Sequence, residues 1–129
     1  MPAIFDMKFV LTMMIFCNIF ITVSTESSPR ILGGRYNRRS KSIDLNVEYG
    51  GGCFKHQFQL RIGACRESFP VQCDAVLIDL TPNDQCASMS RRKVSFKLDD
   101  VGLNTSYYSG AKITIQGLDK SEVVITLPR

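Results

Sequence analysis

CFKHQFQLRIGACRESFPVQCDAVLIDLTPNDQC, residues 53–86, opens and closes on cysteine and holds two more at Cys65 and Cys73. Within it Phe58, Leu60 and Ile62 alternate with Gln57, Gln59 and Arg61, the period-two pattern of a half-buried strand. Residues 75–80, AVLIDL, are more continuously apolar, as expected of a strand inside a sheet. If the two strands form an antiparallel hairpin, the residue numbers of facing positions have a nearly constant sum. The sums for Cys65 with Cys73 and for Cys53 with Cys86 differ by one, so a single register places both pairs, one at each end of the hairpin. The one-residue mismatch calls for a bulge or a side-on contact. Pairing Cys53 with Cys65 would join points roughly 40 Å apart along one strand at about 3.3 Å per residue, whereas a disulfide holds its Cα atoms near ~5.5 Å. The crossed pairing fails for the same reason. The expected bridges are therefore nested, Cys53 to Cys86 and Cys65 to Cys73.

Outward from the hairpin the same period recurs. Ile43, Leu45, Val47 and Tyr49 alternate with Asp44, Asn46 and Glu48; Val94, Phe96 and Leu98 make a further strand closed by Asp99, Asp100 and Gly102. Ile113 and Ile115 belong to another, and Val123, Ile125 and Leu127 to a last one, with residues 117–120, GLDK, turning between them. Residues 81–84, TPND, read as a turn. Nowhere does a 3.6-residue apolar period persist. The expected class is all-β: a small antiparallel β-sandwich, or partly open barrel, of about six to seven strands with two disulfides. In such a fold Gly50, Gly51 and Gly52 let the chain turn tightly and bring Cys53 to its partner.

The 129 residues suit one domain, with 44% hydrophobic and 22% charged residues. Residues 1–24 have the shape of a secretory signal peptide: Met7-Lys8, the apolar run FVLTMMIFCNIFITV over residues 9–23, then STESS. The run is short of the roughly 20 residues that cross a bilayer. Removing it removes Cys17 and leaves an even cysteine count, as in disulfide-bonded exported domains. Asn104-Thr105-Ser106 is an N-glycosylation acceptor, which agrees with a secreted, extracellular chain. From residue 43 onward ten Lys or Arg balance ten Asp or Glu, whereas residues 25–42 carry Arg30, Arg35, Arg38, Arg39 and Lys41 against Glu26. That segment reads as a basic flexible tail or a removable propeptide, with residues 43–129 as the disulfide-stabilised β domain. Its expected partners are acidic glycans or other extracellular polyanions, with no nucleic acid and, after cleavage, no membrane.

Candidate chemistry is sparse. Cys53 and His56 have a spacing seen in zinc sites, but four ligands are normally needed and His56 is the one histidine, so no metal and no cofactor are expected. His56, beside Lys55, reads as a strand-edge residue. No Gly-x-Ser-x-Gly elbow accompanies it, and Asp79, Asp84, Asp99 and Asp100 lack the spacing of a calcium loop, so they read as turn and strand-edge residues. No catalytic residue and no enzyme activity are expected.

Two resemblances add to this. CRESFPVQC, residues 65–73, resembles the reactive loop of Bowman-Birk serine-protease inhibitors, Cys-Thr-x-Ser-x-Pro-Pro-x-Cys. The likeness implies Glu67 as the specificity residue, Ser68 after the scissile bond and Pro70 stiffening the loop; Arg66 and Val71 depart from the pattern. More broadly, VEYGGGCFKHQFQL, ESFPVQ, LIDLTPNDQC and VSFKL, within residues 47–98, resemble the core of short exported or lipid-anchored bacterial proteins with Gly-Gly-Cys-x-x-His-x-Phe-x-Leu, then Pro-x-Gln and Asp-x-Cys. That family implies a fold unit without an established activity. Its equivalents of Cys53 and Cys86 stand without partners at Cys65 and Cys73, which supports the nested pairing. The expected function is that of a secreted, non-enzymatic extracellular structural or interaction protein of the kind associated with a matrix; the alternative is a serine-protease inhibitor acting through the 65–73 loop.

Overall fold

The computed structural model describes residues 28–81, 84 and 86–129. The expected signal peptide and the middle of the expected TPND turn lie outside the described residues. Seven strands, β1 (Arg30–Asn37), β2 (Ser42–Gly50), β3 (Phe58–Arg66), β4 (Gln72–Asp79), β5 (Met89–Lys97), β6 (Lys112–Gln116) and β7 (Glu122–Thr126), are joined by turns and one short helix, α1 (Leu98–Val101). They form two sheets with strand orders β1-β2-β5 and β3-β4-β6-β7. The result is a β-sandwich, not closed into a barrel. Every ladder is antiparallel except β4 with β6, because the chain leaves β4 for the other sheet at β5 and returns alongside β4 in the same direction.

Alternation places Ile43, Leu45 and Val47 of β2 against Leu60, Ala75, Leu77, Ile113, Ile115 and Ile125 of the facing sheet, and these form the core. β4 lies between β3 and β6, which accounts for its more continuous apolar run. The β3–β4 ladder shifts by one residue between Ile62 and Cys65, a bulge that brings Cys65 opposite Cys73. Strand β5 ends at Lys97, and Leu98 starts α1 instead of continuing the strand.

One expectation is corrected. From Arg30 on, the supposed basic tail of residues 25–42 is strand β1 and the turn into β2. Ile31 is buried and faces Val47, while Tyr36 faces Ile43. The bulge between Ile31 and Gly33 interrupts the alternation, so the row of core-facing residues is hard to see in the sequence. The ordered domain thus includes β1 and reaches back past residue 43.

Candidate functional site: the His56 centre and the stapled loop

Beyond the last β3–β4 pair, Phe58 with Asp79, the two chains continue as loops that meet at the Cys53–Cys86 disulfide, whose Cα atoms lie 5.7 Å apart. His56 sits between that bridge and the end of the ladder. It is not a strand-edge residue: it is 1% exposed. Its Nδ1 lies 2.6 Å from Asp79 Oδ2 and its Nε2 lies 2.8 Å from Asp84 Oδ2. With a carboxylate oxygen on each nitrogen, both nitrogens carry protons and donate.

The carboxylates are themselves held. Asp84 Oδ2 accepts from Gly52 N–H (2.7 Å) and Phe54 N–H (3.2 Å), Asp84 Oδ1 accepts from Cys86 N–H (3.1 Å), and Asp79 Oδ1 accepts from Thr81 N–H (2.8 Å). This explains the glycines. Gly51 and Gly52 adopt φ of 110° and 128°, and a Cβ on Gly51 would meet Asp84 Cγ at 2.5 Å. Tyr49 lies against the imidazole at 4.6 Å between ring centroids and meets Phe58 edge-on at 5.1 Å, while Arg92 stacks over Phe58.

Burial disfavours a charged imidazole, but the bonds to Asp84 and Asp79 outweigh it and raise the His56 pKa. The backbone N–H of Gly52, followed against burial by His56, Cys86 and Phe54, holds the Asp84 carboxyl well below the usual carboxylate range. Both ring nitrogens are thus engaged by carboxylates, and the raised pKa favours the doubly protonated ring. Cys53, Asp84 and Cys86 place their ligand atoms within 4.8 Å of one another, but both sulfurs are spent in the disulfide. What the arrangement can do is clamp the glycine loop to the segment after β4.

At the other end of the hairpin Cys65 and Cys73 are bonded, with Cα atoms 4.0 Å apart. Glu67, Ser68 and Phe69 are exposed, and Phe69 is 105% exposed. Ser68 N–H donates to Arg66 O (2.8 Å), closing a tight turn around Glu67, and Ser68 Oγ donates to Pro70 O (2.7 Å). The Phe69–Pro70 peptide is cis. Val71 is buried, and its carbonyl accepts from Lys112 N–H (3.0 Å), which ties the loop base to β6. The structure thus brings Glu67, Ser68 and Pro70 onto one closed loop, as the sequence places them.

The remaining residues singled out in the sequence lie apart. Asn104 is exposed after α1, its amide donating to Asp99 Oδ1. Arg30 and Arg35 are on β1, and Arg38, Arg39 and Lys41 are on the turn into β2. Sequence reasoning missed Asp79 and Asp84 as partners of His56. The nested cysteines carried the signal: His56 falls between the Cys53–Cys86 bridge and the ladder, so it must face the segment that holds both aspartates.

The fold has a solved counterpart. A protein of unknown function, DUF1344, from Bacteroides vulgatus is similar over 79% of this chain at a TM-score of 0.53 and 17% sequence identity. This chain covers 48% of that protein's chain, and the likeness shows the fold alone. No protein-family model and no curated protein matches the chain. Among the described residues no helix is long and apolar enough to cross a membrane.

Proposed function

We propose that this chain is an exported, non-enzymatic interaction domain that engages a protein partner through the stapled tip of the β3–β4 hairpin. The observation that carries the reading is Phe69: a fully exposed aromatic side chain at the apex of a loop closed covalently at its base. Exposing a large apolar ring to water has no benefit for folding, whereas aromatic anchors dominate binding energy at interfaces. A loop already held in shape loses little conformational freedom on binding. Export is supported by two disulfides in a domain of this size. A non-enzymatic role is supported by the closed His56 centre, in which every group that could react is committed to the fold.

The test places the photoreactive analogue p-benzoylphenylalanine at position 69 of the full chain and irradiates it in the extracellular fluid of its source. The expected result is a saturable adduct that excess unlabelled chain competes away and the Phe69→Ala chain does not. Labelling that is not competed, or that Phe69→Ala competes equally well, refutes the reading.

A second reading, serine-protease inhibition, is favoured by exposed Glu67 and Ser68 on the same closed loop, braced by the Ser68–Pro70 hydrogen bond. Titration against glutamate-selective, chymotrypsin-like and trypsin-like proteases separates the two. Stoichiometric inhibition that Glu67→Ala abolishes establishes the inhibitor and displaces the first reading.

A further inference from the structure

We infer that the outer face of the β1-β2-β5 sheet is a binding groove for a linear sulfated polysaccharide. The proposal goes beyond the hairpin reading and uses the other sheet. The two registers align the outward residues in rows: Arg30, Glu48 and Arg91; Gly33, Asn46 and Lys93; Arg35, Asp44 and Ser95; Asn37, Ser42 and Lys97. Each row carries a cation on at least one outer strand, and the central strand carries Ser42, Asp44, Asn46 and Glu48. Two hollows follow from this relief, one bounded by Arg35, Asn46 and Lys93, the other by Ser42, Ser95 and Lys97. Both include Asp44 and Lys93, so they run on as one groove along β2. At about 3.3 Å per residue its run from Ser42 to Asn46 is roughly 13 Å long, the reach of a short oligosaccharide rather than of a single anion.

The cations of this face fall into paired and unpaired sets. Arg30, Arg91 and Lys93 are paired with Asp119, Glu48 and Asp44. Arg35 and Lys97 on the rim, and Arg38, Arg39 and Lys41 on the turn at its end, make no ion pair among the described residues. Asp44, the acid in the floor, is neutralised internally: Ser42 Oγ, Ser95 Oγ and Asn37 Nδ2 donate to it and Lys93 Nζ lies at 3.5 Å, while Asp100 stands exposed at the edge of the second hollow. The sequence shows part of this surface as a basic run, but Lys93 and Lys97 join it through strand pairing alone.

The floor identifies the class of polyanion. The exposed Asn46 amide and the acceptor lone pairs of exposed Ser95 offer hydrogen bonds to sugar hydroxyls, and the rim cations offer ion pairs to sulfates. The outward rows hold no aromatic side chain on which a nucleic-acid base could stack. They also hold no apolar stripe to enter a lipid surface.

The probe is a heparin octasaccharide titrated into the full chain by calorimetry. Arg35→Ala with Lys97→Ala, both exposed and outside any ion pair among the described residues, should weaken binding at least tenfold and flatten its salt dependence. Lys112→Ala with Lys120→Ala, which removes the same charge from β6 and the turn after it, should change affinity less than twofold. Equal losses from the two pairs would reduce the effect to net charge and overturn the groove, as would tighter binding of a DNA oligonucleotide or of anionic vesicles than of heparin. Phe69→Ala should leave heparin binding unchanged, so failure here and failure of the hairpin reading are separable.

Discussion

Replacing His56 with leucine removes the proton donors from Asp79 and Asp84 while roughly keeping the side-chain volume. His56 is 1% exposed and Asp79 6%, so the bond lost is fully internal, and water cannot restore it without opening the loop. Breaking a buried ion pair from one side costs about 3–5 kcal/mol. For a domain near this size that lowers the melting temperature by about 12 °C or more at roughly 4–8 °C per kcal/mol. The pH dependence adds a signature that simple loss of packing lacks. The folded-state pKa of His56 is raised, so its stabilisation is complete below about pH 6.5 and is lost as pH rises through the folded value. The folded-state pKa of Asp84 is lowered, so its contribution is complete above about pH 4 and is lost as pH falls toward the folded value. The penalty for His56→Leu should therefore be greatest between about pH 4 and 6.5 and shrink toward alkaline pH. Urea unfolding of the oxidised chain at pH 5.5 and pH 9 measures this, and a double-mutant cycle with Asp79→Asn should return a coupling above about 1 kcal/mol. A pH-independent penalty, or additive single mutants, would show that the imidazole is uncharged and that the centre is not an ion cluster.

Three further outcomes follow from the same framework. Loop-closure entropy makes the Cys53–Cys86 bridge, at a sequence separation of 33, worth about 3.7 kcal/mol and the Cys65–Cys73 bridge, at 8, about 2.5 kcal/mol; denaturation of the two double-alanine variants should rank them in that order. Gly51→Ala should destabilise by more than about 2 kcal/mol because its positive φ and contact with Asp84 leave no room, whereas Gly50→Ala meets nothing within 4 Å and should stay within about 1 kcal/mol of the parent in urea titrations. Ile31→Ala should cost about 2–4 kcal/mol through its buried place on β1, while a mobile tail would lose nothing.

What the sequence discloses depends on whether a residue's partner is local or distant. Period-two alternation in β2, β3 and β5 is a property of neighbouring residues, so those strands are legible directly. The disulfides are legible because one hairpin register relates four cysteines. β1 is not, since a bulge breaks its alternation and arginines occupy its solvent side, giving it the composition of a tail. Asp44 looks like a solvent-facing strand residue and is in fact 4% exposed, because Ser42, Ser95 and Asn37 converge on it from three strand segments. The His56 centre combines both difficulties. Its aspartates sit 23 and 28 residues away, and the backbone donors that hold Asp84 leave no mark in side-chain type.

The placement of the cross-links has a physical logic that bears on function. β3 is an edge strand, hydrogen-bonded to β4 on one side only, and such a strand frays from its ends. One disulfide joins it to β4 at the loop tip; the other, with the His56 ion cluster, joins the chain segments beyond the opposite end. Both staples and the chain's one imidazole thus sit where the sandwich would open first. A rigid hairpin keeps Phe69 presented without collapse onto the core. The polar sheet face, held in register by β2, keeps the rim cations at fixed spacing. Both surfaces depend on the same hairpin clamps to different degrees: reducing the disulfides should disorder the tip before the β1-β2-β5 face, whose ladders contain no cysteine.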